Sequence, residues 1–159
     1  MAKEEKKAPK KEKVITRDAK GSWDVKYKWH FRSDYMERYV AALKDMKMLA
    51  TKCNQCGRVY SPPATRCGRC FVELTEWTEV QPRGKVIMYT VMYNAISGEP
   101  LPEPRITAII QLEGSSAWMI APVKNTKPEE MHTGLAIKVV WNEARKGVLA
   151  DIQHFEAVR

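Results

Sequence analysis

Cys53-Asn54-Gln55-Cys56-Gly57-Arg58-Val59-Tyr60-Ser61-Pro62-Pro63-Ala64-Thr65-Arg66-Cys67-Gly68-Arg69-Cys70 is the stretch on which the reading of the chain turns. It holds all four cysteines, as two Cys-x-x-Cys pairs separated by ten residues. Four thiolates close a tetrahedral shell around one Zn²⁺, and a tight turn at each pair sets two sulfurs about 2.3 Å from a shared ion. Gly57, directly after the first pair, suits a turn position with positive φ. Pro62-Pro63 supplies a rigid corner that returns the second pair beside the first. The stretch predicts a structural zinc ribbon with Cys53, Cys56, Cys67 and Cys70 as ligands. A filled S₄ shell has no open position for water or substrate, so the metal is expected to fold the ribbon and not to catalyse. Zinc contributes about 10–16 kcal/mol in small peptides, more than so few apolar residues could supply.

Other uses of the cysteines fit less well. Two disulfides would need an oxidising compartment, and Met1-Ala-Lys-Glu-Glu-Lys-Lys7 carries no apolar export segment. A redox Cys-x-x-Cys stands in a βαβ context, which is missing here. Iron is the other metal that the same shell accepts.

Composition bounds the rest. The 159 residues allow one modest domain, or a mini-domain plus a small core. No stretch is apolar enough for a membrane-spanning helix, and the expected location is the cytoplasm. The formal charge is +8, of which residues 1–28, with ten Lys/Arg against five Asp/Glu, hold +5. The folded part is therefore close to electrically ordinary, and the basic character belongs mainly to a tail.

Four segments follow. Residues 1–22 are Lys/Glu-rich with little to bury, and read as a disordered basic tail. Residues 23–48 open with the aromatics Trp23, Tyr27, Trp29 and Phe31 and continue into a helix. Ser33 or Asp34 caps it, with Asp34 and Glu37 as an acidic variant of the capping box. Met36, Tyr39, Val40, Leu43 and Met46 make one apolar stripe at helical spacing. Either that stripe covers the chain's own ribbon or barrel, or Met36, Tyr39, Val40 and Leu43 dock on another protein, a use for which methionine is well suited. Residues 49–80 form the ribbon, led in by a strand over 47–52 and followed by a strand from Glu73 to Val80 containing Trp77.

Residues 81–159 read as strands. Val86 to Tyr93 is apolar on both faces, as in a long bent strand shared by two sides of a small barrel. Asn94 to Pro104, with Gly98 and three prolines, reads as a loop. Ile106, Ala108, Ile110 and Leu112 face a core, while Thr107, Ile109 and Gln111 face outward. Ala117 to Ala121 is a third strand, Pro128 to Met131 one helical turn, and Leu135, Ile137, Val139 and Trp141 a fourth strand. Val148, Ala150 and Ile152 close the set. This order fits a five-stranded Greek-key OB barrel; a small open sheet is the alternative. The expected fold is mainly β with an N-terminal helix, a zinc ribbon and then the barrel.

Catalytic chemistry is not visible. There is no phosphate-cradling glycine loop, nucleophile elbow or His-Glu-x-x-His helix. His30, His132 and His154 are scattered, and no cysteine is left to pair with one. A zinc ribbon with an OB barrel and a basic tail could bind single-stranded nucleic acid, with Tyr89, Tyr93 and Trp118 as platforms and Arg58, Arg66 and Arg69 as cations. Few Lys/Arg fall on the barrel strands, which weighs against it. A plain scaffold between two enzymes is a further possibility.

The stretch Cys53 to Cys70, followed by Glu76-Trp77 and Gly84-Lys85-Val86-Ile87-Met88-Tyr89-Thr90-Val91, resembles the bacterial and archaeal family of acyl-CoA-associated proteins that join a rubredoxin-like zinc ribbon to an OB fold. Pro102-Glu-Pro104-Arg-Ile106, Gly134-Leu-Ala-Ile-Lys-Val-Val140 and Asp151 to Phe155 are also similar to it, so the likeness runs from about Ser33 to Phe155. The resemblance implies a non-catalytic accessory subunit of a thiolase-superfamily complex. It would dock through its helix and ribbon and help to enclose a CoA thioester, for which 2-benzoylsuccinyl-CoA of anaerobic toluene breakdown is one candidate. Arg58 and Arg66 are the expected contacts to CoA phosphates. Ala64-Thr65 departs from the family, which often has an arginine directly after Pro-Pro; Arg66 is the nearest substitute.

Overall fold

The computed structural model describes residues 33–158 together with Lys26 and Lys28. The expected basic tail and the aromatics Trp23, Tyr27, Trp29 and Phe31 lie outside the described residues. The helix α1 spans Asp34–Leu43 and starts at Ser33. Ser33 is the N-cap but makes no side-chain bond to the helix backbone; its hydroxyl donates to the Glu37 carboxylate four residues on, and Asp34, expected to pair with Glu37 in a capping box, lies inside the first turn.

The strands β1 (Met48–Lys52), β2 (Val59–Tyr60) and β3 (Glu76–Val80) form an antiparallel sheet in the order β2-β1-β3. The chain then enters a closed barrel of β4 (Arg83–Asn94), β5 (Pro100–Leu112), β6 (Met119–Val123), β7 (Ala136–Trp141) and β8 (Ile152–Ala157). Around the barrel the order is β4-β5-β6-β8-β7, with β6 and β8 the parallel pair, which is the OB topology anticipated from the strand pattern. The single turn between the third and fourth barrel strands is a 3₁₀ turn at Pro128–Glu130.

Alternation explains which residues fill the barrel. Ile106, Ala108, Ile110 and Leu112 on β5 are buried, as are Ile137 and Val139 on β7. They share one core with Tyr39 and Leu43 of α1 and with Met48, Ala50 and Val80 of the ribbon sheet. Helix, ribbon and barrel are thus held by a common apolar interior. Backbone bonds add to it. The β5–β6 turn grips β2, with the Ser116 N–H donating to the Val59 carbonyl at 2.7 Å and the Val59 N–H to Ser116 Oγ at 3.2 Å.

Two expectations are corrected here. The loop expected from Asn94 to Pro104 is a hairpin arm: β4 runs to Asn94, which pairs with Pro100, and only the intervening turn is irregular. The Ala95 N–H to Glu99 carbonyl bond, 2.7 Å, closes that turn, so the prolines that suggested a loop sit in an exposed extension of β5. The last strand begins at Ile152, not Val148, because Leu149–Asp151 is a 3₁₀ turn. The buried Asp151 carboxylate explains it, accepting the backbone N–H of Lys146 (2.9 Å), Gly147 (2.7 Å) and Val148 (3.2 Å) and so curling the loop around itself. From the same loop Arg145 donates to the Lys44 carbonyl at 2.9 Å, tying the C-terminal end of α1 to the barrel.

Candidate metal centre and outer face

Each cysteine pair folds the same way. In the first turn the Gly57 N–H returns to the Cys53 carbonyl at 2.9 Å and the Cys53 N–H reaches the Arg58 carbonyl at 2.8 Å. In the second, Phe71 N–H to Cys67 carbonyl and Cys67 N–H to Val72 carbonyl repeat the pattern at 2.9 Å each. Position for position, Gly57 (φ 71) corresponds to Phe71 (φ 58). The two turns bring the four sulfurs within 4.8 Å of one another. Cys56 Sγ and Cys67 Sγ are 3.6 Å apart, near the roughly 3.8 Å edge of a tetrahedron with 2.3 Å Zn–S bonds.

The surroundings suit thiolates. The Tyr60 hydroxyl lies 3.3 Å from Cys67 Sγ, and the N–H groups of Arg69 and Cys70 point at the same sulfur at 3.4 Å. The Tyr60 bond and then those N–H donors draw the Cys67 thiol down to about 6. Its neighbour behaves oppositely: the Cys56 sulfur beside it, then burial, push Cys70 up to about 12. Four such groups cannot all ionise side by side unless a cation neutralises them, and a divalent ion in their midst supplies that charge. The donor set, its spacing and its N–H support fit a structural S₄ zinc site. Tyr60, which also accepts the Gly68 N–H at 3.1 Å, is a functional residue that the cysteine spacing alone did not disclose.

The remaining sequence-predicted residues fall in separate places. Arg58 and Arg66 are both exposed on the ribbon, and Arg66 Nη1 donates to the Phe71 carbonyl at 3.3 Å. Tyr39 and Leu43, expected on a docking face, are instead fully buried in the chain's own core. Burial also pushes the Tyr39 hydroxyl up to about 12. Helical spacing marked a true apolar face, but that face is used internally, leaving Met36 exposed and Val40 half-buried.

A second feature lies on the outside of the barrel. Across three strands Met88 pairs with Ile109, and Ile109 with Ile120, so the three form one outward row. Met88 is 57 % exposed, Ile120 72 % and Trp118 61 %. Ile120 is the common wall of two apolar grooves. One, of about 460 Å³, is lined by Tyr39, Pro62, Trp118, Leu149 and Ile152 among others; the other, of about 210 Å³, by Met88, Tyr89 and Ile109. Among the described residues, no Lys or Arg lines either groove. The groove walls beside Tyr89 and Trp118 are thus apolar and not the cation-lined channel of a single-strand binder. The signal for this face was present in the sequence: Ile109 stands at an outward position, and Trp118 to Ala121 is apolar on both sides.

A metal-stapled ribbon that shares its core with an OB barrel defines the class: a small zinc-ribbon β module. Comparison with known proteins is specific. The ChsH2 rubredoxin-like zinc ribbon domain matches residues 40–76 and the ChsH2 C-terminal OB-fold domain matches 77–142, together about two thirds of the chain. The chain belongs to this ChsH2 (DUF35) family. It is 29 % identical over 101 residues to a DUF35 domain-containing scaffold protein of Methanocaldococcus jannaschii, covering 62 % of this chain and 70 % of that one. Over 121 residues it is 26 % identical to a scaffold protein of the same description from Pyrococcus furiosus, covering 76 % and 79 %. A DUF35-family protein of unknown function from Sulfolobus solfataricus superposes with a TM-score of 0.56 at 27 % identity, over 67 % of this chain and 77 % of that one. The Ltp2-ChsH2(DUF35) aldolase shares the fold with a TM-score of 0.53 at 20 % identity, over 76 % and 91 %.

Proposed function

We propose that the chain is a non-catalytic accessory subunit of a thiolase-superfamily complex, which docks on the catalytic subunit and helps to enclose a CoA thioester. The observation that carries this is the outward apolar face centred on Ile120, continuous through two grooves from Leu149 to Met88. A contiguous row of isoleucine and methionine on a solvent face is apolar surface that contact with another molecule would take out of water. Relatives described as scaffold proteins support the non-catalytic role, and the description of one structural neighbour pairs a ChsH2 (DUF35) chain with Ltp2 as an aldolase.

In this reading the zinc holds the ribbon in shape while nucleophile and base belong to the partner. The barrel covers the mouth of the partner's tunnel, excludes water from the thioester and holds the pantetheine arm. Arg58 and Arg66 are the proposed contacts for CoA phosphates through charge-assisted bonds, and an aromatic thioester such as 2-benzoylsuccinyl-CoA is the proposed substrate of the complex. The test is affinity capture of the tagged chain from its native extract with its companions identified by mass. A thiolase-fold enzyme in fixed ratio is expected; recovery of nucleic acid without such an enzyme would overturn the reading.

A further inference from the structure

The two cysteine turns are made alike, yet one of them carries a residue that its backbone does not favour. The position after the second cysteine of each pair lies in the left-handed region, at φ 71 for Gly57 and φ 58 for Phe71. Glycine occupies that region without hindrance, whereas a side chain with a Cβ is crowded there. Phe71 also gains nothing from the interior: its side chain is 75 % exposed. An aromatic ring that strains its own turn and is left in water serves the free protein poorly. The turn that carries it is nevertheless rigid, pinned by the Phe71 N–H bond to Cys67, by Arg66 Nη1 on the Phe71 carbonyl and by the sulfur cluster. A ring held out on so stiff a mount loses little freedom when it is buried by a partner, which is how interface anchors act. The nearby surface is net basic: Arg58, Arg66 and Arg69 are exposed, against the exposed Glu73, which faces Arg66 across a β-bridge.

We infer that Phe71, with Arg69 two residues before it on the second cysteine turn, anchors the ribbon by inserting into an apolar pocket rimmed by carboxylates on the catalytic partner subunit. This rests on the accessory-subunit reading and assigns to the ribbon a contact separate from the Ile120 face. Arg69 faces the acidic rim and gives the contact salt dependence.

The experiment compares the full zinc-loaded chain with Phe71→Gly, Phe71→Ala and Arg69→Glu, measuring zinc content, Tm and affinity for the purified catalytic subunit by calorimetric titration. Phe71→Gly is expected to keep its zinc, to melt at the wild-type temperature or up to about 4 °C above it because the turn is relieved, and to bind the partner roughly 30-fold more weakly. Phe71→Ala should weaken binding similarly without that gain in Tm, and Arg69→Glu should weaken it most at low salt. A merely structural ring predicts the reverse for Phe71→Gly, a lower Tm with unchanged affinity, and either half of that result overturns the anchor. If the wild-type chain binds and Phe71→Gly binds as tightly, the anchor alone falls. If the wild-type chain does not bind, the accessory reading falls with it.

Discussion

Gly84→Ala adds one methyl group and should be among the most damaging small changes in the chain. Gly84 pairs with Leu112 on β5 and with Ile137 on β7, so it lies where β4 is shared by two sides of the barrel. A Cβ there would lie 2.1 Å from the Gln111 carbonyl oxygen and 2.8 Å from the Leu112 Cα. Real Cβ contacts stay above 3.0 Å, so β4 must retreat by about 0.9 Å, against backbone and not against a side chain that could swing aside. A retreat of that size stretches the neighbouring Glu113 N–H to Arg83 carbonyl bond, now 2.9 Å, beyond useful length. One ladder bond lost at about 1 kcal/mol, with overpacking of about 1–3 kcal/mol, makes roughly 2–4 kcal/mol. That is a large share of the about 5–15 kcal/mol of a typical domain and corresponds to a fall in Tm of roughly 10–20 °C. Thermal unfolding followed by circular dichroism, with the exposed neighbour Lys85→Ala as reference, measures it. A Gly84→Ala protein melting within about 2 °C of wild type would refute the close strand approach on which the argument depends.

Three other outcomes follow from the same geometry. Removing the metal with a chelator, or replacing Cys53 or Cys67 by serine, should unfold the ribbon and expose the apolar core it shares with the barrel. Loss of about one zinc per chain alongside loss of near-ultraviolet dichroism is the expected result, and a chain purified without metal yet cooperatively folded would contradict it. Ile120→Asp should leave the free protein's Tm within about 2 °C of wild type, since Ile120 already faces water, and weaken partner binding at least tenfold by placing a charge in an apolar contact. Equal affinity would remove the Ile120 face from the interface. Acid should destabilise the fold in two stages. Burial, then the charge of Lys124, holds His154 below its ordinary 6.5, so the unfolded chain takes up a proton there that the folded one resists, and stability falls as pH drops below about 6.5. The Asp151 carboxylate lies below its ordinary 3.8, because the N–H groups of Lys146, Gly147 and Val148 outweigh the opposing effect of its burial, and its share is lost only as pH falls below about 4. With zinc kept saturating, His154→Gln should flatten the change in Tm between pH 7 and pH 5; an unchanged slope would exclude His154 as its source.

Much of this molecule was legible because short-range chemistry dictates it. Two Cys-x-x-Cys turns can do little else in one small chain than converge, and Gly57 marked the left-handed position before any coordinates did. The alternation from Ile106 to Leu112 and from Ile137 to Val139 gave the inner face of the barrel directly, since period-2 burial is local. What was hidden depends on contacts distant in sequence. The helical stripe at Tyr39 and Leu43 reads identically whether its cover is a partner or the chain's own barrel. The prolines at 100, 102 and 104 look like a loop unless the facing strand is known to continue to Asn94. Asp151 breaks the apparent strand at Val148 through three backbone bonds that no sequence pattern announces. Phe71 was visible only as a residue next to a ligand, and its significance came from comparing its backbone with that of Gly57.

In the proposed role this zinc-stapled module serves another subunit's thioester chemistry and performs none itself. Acyl-CoA turnover by the purified catalytic subunit alone, by this chain alone and by the two together tests it most directly. No turnover is expected from the chain alone, and a higher kcat/KM from the reconstituted pair than from the catalytic subunit by itself. Turnover by the isolated chain, or a pair no better than the lone catalytic subunit, would contradict it.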